Sequence, residues 1–130
     1  MNDLTTSVPL PLAEASQRVR DALAKHGFGV LTEIDVTRVF RDKLDVERTP
    51  LMILGACNPV MAHTALGRDE AAALSLPCNV VLDESTPNVT RVSIADPSVM
   101  LPSKDLADLA ESARAQLRDV IRSLDDATAH

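Results

Sequence analysis

The run Leu51-Met52-Ile53-Leu54-Gly55-Ala56-Cys57 constrains this chain more than any other stretch. It is an unbroken apolar segment of strand length, bounded by Pro50 on one side and Asn58-Pro59 on the other. Apolar residues in succession, rather than in alternation, predict a central strand covered on both faces. Asn58 is a helix-capping residue and Pro59 suits the first helical position, so the strand is expected to feed directly into a helix over 58–66, closed by Gly67. A second stretch, Leu76-Pro77-Cys78-Asn79-Val80-Val81-Leu82, echoes the first. Both cysteines lie in these two stretches, each followed by an asparagine.

The remaining elements fall around that pair. Residues 4–10 are β-prone, and Pro9 and Pro11 mark an edge strand or its exit. Leu12, Ala15, Val19, Ala22 and Leu23 recur at helical spacing, and Gly27 follows as a C-terminal glycine. Residues 28–34 alternate, placing Phe28, Val30 and Ile34 on one strand face. Asp35 then caps a short helix carrying Val36, Val39, Phe40 and Leu44. The alanine-rich stretch 68–75 has room for another helical turn or two. Strands at 78–82 and 89–95 flank the turn residues 84–88 and form an antiparallel hairpin. Ser103 caps a final helix with the strongest periodicity in the chain, running from Leu106 through Leu117 to Leu124, ahead of a frayed tail over 125–130. The order β-α-β-α-β-α-β-β-α predicts an α+β two-layer sandwich with a mixed β-sheet covered by helices. No linker divides the chain, so residues 1–130 are read as one domain with an ordered core over about 4–124.

Composition excludes several classes of function. The net charge is -6 and the pI near 4.9, so the basic footprint of a nucleic-acid binder is missing. There is no Trp or Tyr to stack on bases. No apolar run approaches the ~20 residues needed to span a bilayer. Residues 1–6 lack the basic and apolar regions of a secretory signal, and two cysteines without such a signal read as reduced cytoplasmic thiols.

At 28–35 (FGVLTEID), 53–59 (ILGACNP) and 76–81 (LPCNVV) the chain resembles a prokaryotic family known as domain of unknown function 302 (DUF302). The resemblance continues through Ala62, His63 and Leu66, through residues 95–97, and into the last helix, covering about 8–124. The matched motif positions are Cys57, Asn58, Pro59, Pro77, Cys78 and Asn79. The family resemblance implies a small two-layer α/β domain and a homodimer, with no assigned reaction. At 71–75 the chain has Ala-Ala-Ala-Leu-Ser where the family pattern leads toward a glycine and more leucines. Different local packing is expected there.

Cys57 is the sharpest chemical candidate. A thiol at the end of a strand, just before a helix start, lies near unpaired backbone N–H groups and the positive end of the helix dipole. That placement favours a thiolate nucleophile or a small anionic ligand at Asn58. Against it stands the ordinary role of cysteine as a small buried hydrophobe. Cys78 begins a second buried strand and is a resolving partner if the two strands are neighbours. His63 adds a third metal-ligating type, but Cys57, His63 and Cys78 lack the paired spacing of a zinc site, so no metal is expected. Glu33 and Asp35 present two carboxylates from one strand face, with Asp35 equally suited to capping. The four glycines match no phosphate-binding loop, and the cofactor is left unspecified. Two readings result. The first is a dimeric small-ligand- or partner-binding module with its site near Cys57-Asn58-Pro59. The second is a thiol redox or transfer protein using Cys57 with Cys78.

Overall fold

The computed structural model describes residues 3–101 and 103–128. Five strands, β1 (Thr5–Val8), β2 (Gly29–Asp35), β3 (Leu51–Cys57), β4 (Cys78–Thr86) and β5 (Val89–Ile94), form one sheet in the order β1-β5-β4-β3-β2. Helices α1 (Leu12–Lys25) and α5 (Ala107–Thr128) cover one face. Shorter helices α2 (Val36–Leu44), α3 (Pro59–Arg68) and α4 (Pro97–Met100) lie in the connections. The result is a two-layer α+β sandwich.

All four strand pairings are antiparallel, where the alternation of strands and helices predicts a mixed sheet. The reason lies in what the helices connect. α2 and α3 each return the chain to the adjacent strand at the same end of the sheet, so they act as long hairpin connections. Only α1 links strands at opposite edges, carrying the chain from β1 to β2. A helix between strands imposes parallel pairing only when it crosses back over the sheet.

The core forms where α1 and α5 meet alternate residues of the strands. Leu54, Val80, Leu82 and Val92 point into it, with Leu23 from α1 and Leu117 from α5. All six side chains are wholly buried, each contributing about 1.5–3 kcal/mol relative to exposure. The opposite sheet face carries Leu51, Ile53 and Val81, which remain half-buried. β3 is thus one strand in from the edge and covered by helices on one face only, unlike the two-sided burial its apolar run predicts. Gly55 is the exception on the open face. A Cβ there would meet the Thr32 hydroxyl and would lie 2.7 Å from Pro77 Cγ.

Three local details differ from the sequence pattern. Leu31 is an extra residue in β2, because Val30 pairs with Ala56 while Thr32 pairs with Gly55. This bulge turns Ile34 to the open face and separates it from Val30, which packs against the core. β4 extends past its predicted end at residue 82 to Thr86, while β5 starts at Val89 as predicted, so the turn narrows to Pro87-Asn88, where Asn88 adopts φ 64°. The alanine-rich stretch forms a 3-10 turn over Glu70–Ser75, and the last helix continues to Thr128. Asp125, within the stretch expected to fray, accepts a hydrogen bond from the Thr6 hydroxyl of β1. Among the described residues no helix is long and apolar enough to cross a membrane.

Candidate functional site

Antiparallel pairing of β3 with β4 places Ala56 opposite Cys78, so the cysteine ending β3 and the cysteine opening β4 arrive at the same end of the sheet. Both line a cavity of about 60 Å³ beside the start of α3. Phe28 and Ala56 contribute from the sheet side, Met61 and Ala65 from α3, and Ala113 and Leu117 from α5. Helix α3 begins there because Pro59 takes the first helical position and the Asn58 side-chain oxygen accepts the Met61 N–H at 3.2 Å. The Asn58 amide also donates to Gln116 Oε1 of α5 at 3.4 Å. Gly27, at φ +84°, leaves room for that amide, since a Cβ there would lie 3.2 Å from Asn58 Nδ2.

Both thiols are free and half-buried. Cys78 Sγ–H donates to the Ala95 carbonyl at 3.3 Å. Burial pushes the Cys57 thiol up from its ordinary value. Burial, and then the negative charge of Asp96, pushes Cys78 up to about 11. Desolvation penalises the thiolate more than the thiol. Cys78, opposite the buried Ala56, presents its neutral sulfur on the core face, whereas Cys57, opposite Gly29, falls on the other face of the sheet with Gly55.

The other sequence candidates lie elsewhere. His63 is exposed on α3 and does not line the cavity. Glu33 does share a strand face with Asp35, but both are engaged: Glu33 pairs with Arg20 of α1 at 2.7 Å, and Asp35 accepts the Arg38 N–H at 3.0 Å as the α2 cap. Asp35 sits opposite Met52, at the far end of β3 from Cys57, about 17 Å away at strand rise. Among the described residues no group of three or more His, Cys, Asp or Glu side chains is placed to hold a metal ion. Two further lining residues carry chemistry that motif reading passes over, Met61 and Met100. Met61 falls within the helix expected over 58–66, and Met100 lies in a stretch for which the sequence predicts no element, since the short helix α4 is not anticipated. A wider hollow of about 240 Å³ lies outside the 3-10 turn, lined by Asp69, Leu74 and Leu106. It contains neither thiol, and its Asp69 carboxylate already accepts the Ala71 N–H at 3.0 Å.

Comparison with known proteins follows the same outline. The family described as "Domain of unknown function DUF302" matches residues 4–124. Among solved structures, the chain is similar to an uncharacterized conserved protein DUF302 from Bacillus stearothermophilus. The two share 26% identity at a TM-score of 0.81, over 91% of this chain and 94% of that one. Among functionally curated proteins, none matches the chain.

Proposed function

The chain belongs to the DUF302 family, and from that premise we propose that it is a small-ligand-binding module whose site is the cavity between the Cys57 and Cys78 strand ends and α3. The observation carrying this reading is the cavity itself, a concave apolar space with a few polar and polarisable groups converging on it. Its lining suits an uncharged or soft ligand better than the anion that a helix start alone suggests, because Asn58 already takes the Met61 N–H. The thiol-transfer reading draws on the two cysteines reaching the same end of the sheet, but their register puts them on alternate faces. It requires a thiolate, which the upward displacement of both thiols opposes. Free thiols accord with a reducing, cytoplasmic setting.

Xenon is a direct probe, since apolar cavities admit it. Exposure of the folded protein to xenon is expected to shift methyl resonances of Met61, Ala65 and Ala113, and Ala113→Leu is expected to abolish those shifts. Absence of shifts in the parent, or shifts unaffected by Ala113→Leu, would count against the cavity as the site.

The binding module is further proposed to act as a homodimer through the β2–α2 corner. Leu31, Ile34 and Leu44 are 65%, 48% and 63% exposed there. Neighbouring Arg38, Arg41 and Lys43 alternate with Asp42, Asp45 and Glu47. Such a surface presents both signs to a second copy, although the chain as a whole is acidic.

A further inference from the structure

We propose that the ligand of this cavity is an unbranched alkyl chain with an uncharged or cationic head, its tail end in the cavity and its head in the wider hollow outside the 3-10 turn. The proposal rests on the cavity being the ligand site and names the class of ligand it takes. The two spaces adjoin, since Ser75 and Leu101 line both. At that shared wall the Ser75 hydroxyl donates to the Met100 carbonyl at 2.5 Å, tying the end of the 3-10 turn to the end of α4.

Size sets how a ligand is divided between them. A dry cavity of about 150 Å³ holds benzene, so one of about 60 Å³ holds roughly two or three carbon atoms. A ring or a branched skeleton is too wide, but the end of a chain fits. Phe28, Ala65, Leu109, Ala113 and Leu117 give that end apolar neighbours. The rest of the chain passes Leu101 into the hollow of about 240 Å³, against Leu74 and Leu106. Leu74 is 90% exposed, so a chain lying over it removes from water apolar surface that the fold itself leaves wet.

Charge at the wider hollow decides the head. Among the described residues lining the two spaces, Asp69 is the only one with a carboxylate or a basic side chain. Its Oδ1 accepts the Ala71 N–H at 3.0 Å, which fixes the carboxylate at the start of the turn. An anionic head placed beside it meets like charge, and no lining residue carries a positive charge to offset the repulsion. An alcohol meets no such cost, and an ammonium gains attraction. A fatty acid is thus the wrong member of the class, and an alkyl alcohol or amine the right one.

The test titrates the folded full chain with 1-octanol, octylamine and octanoate while methyl resonances are followed by NMR. Octanol and octylamine are expected to give saturable shifts at Ala65 and Ala113 together with Leu74 and Leu101, at one midpoint. Octanoate is expected to bind about tenfold or more weakly. Asp69→Asn keeps a capping side chain and is expected to bring octanoate to within about threefold of octylamine while leaving octanol unchanged. Ala113→Leu, which fills the inner end, is expected to abolish the octanol shifts at Leu74 as well. Shifts confined to one of the two spaces, Leu74 shifts that persist in Ala113→Leu, or octanoate binding as tightly as octylamine in the parent each overturn the proposal. Xenon on the same sample separates the two levels. Entry of xenon without octanol saturation removes the alkyl ligand and leaves the ligand cavity standing, whereas failure of both probes removes both.

Discussion

The two edges of the sheet are finished in opposite ways. At the β1 edge, Leu4 and Val8 are wholly buried against α5 and the core. Arg114 of α5 grips Asp3 with two hydrogen bonds, at 2.5 and 3.3 Å, and Asp96 with a third at 3.1 Å. Glu84, in the hairpin, accepts the Leu12 N–H at 2.8 Å and the Asn88 N–H at 2.9 Å, joining the start of α1 to the turn. At the β2 edge no residue of the strand is buried, nor is any of α2. The bulge at Leu31 and the charges around it are devices that discourage open-ended strand pairing. Stability is concentrated at one edge, and the other is left as surface.

The largest expected effect tests that contrast directly. Leu4→Ala is expected to lower unfolding free energy by about 2–5 kcal/mol, whereas Leu31→Ala should stay within about 0.5 kcal/mol. Urea unfolding of both variants measures the difference, and equal losses would break the comparison. Gly55→Ala comes next, at about 1–3 kcal/mol, because the new Cβ strikes Thr32 of β2 and Pro77 together. A loss of that size would show where the weak edge is nonetheless fixed.

Titration sharpens the strong edge. The Arg114 hydrogen bond holds the Asp3 carboxyl below its ordinary value. Two backbone N–H groups do the same for Glu84. A carboxylate with a depressed folded pKa stabilises above its unfolded value and loses that contribution as pH falls. Arg114→Gln should therefore flatten the acid limb of stability against pH. Cys78 has the reverse sign. Its thiol ordinarily ionises near 9 and is held up to about 11, so stability present below that window declines as pH rises through it, and Cys78→Ala should reduce the decline, leaving the part due to Cys57. The smallest effect on stability belongs to L31E/L44E, expected to leave the urea midpoint unchanged at protein concentrations too low for association while converting a dimer to a monomer in light scattering at higher concentration. A parent that is already monomeric would show that the exposed edge serves no self-association.

Much of this contrast was legible in the chain, in an uneven way. The caps at Asp35, Asn58 and Ser103 are where residue chemistry places them, because each side-chain oxygen satisfies a donor within its own turn. The stripe from Leu106 to Leu124 likewise announces α5. The antiparallel hairpin of β4 with β5 was legible from its turn residues, but the pairing direction across α2 and α3 was not, since a nine- or ten-residue helix can cross a sheet or merely cap its end. The β2 bulge was also hidden, as one added residue leaves the composition of the strand unchanged. The cavity was half legible. Cys57 and Asn58 stand out by type and position, but Met61 and Met100 are distinguished only by the space they share.

The strand order also has a consequence for the route by which the chain folds. β2, β3, β4 and β5 are successive neighbours, so each pairs with the strand that precedes it in the chain. β1 must wait for a partner from the far end of the chain, pairing Thr5 with Ser93, and long closures are slow. The most firmly fastened edge is therefore expected to arrive last. In stopped-flow kinetics Leu4→Ala should leave the refolding rate nearly unchanged and speed unfolding, a φ-value near zero, whereas substitutions at Leu54 should slow refolding.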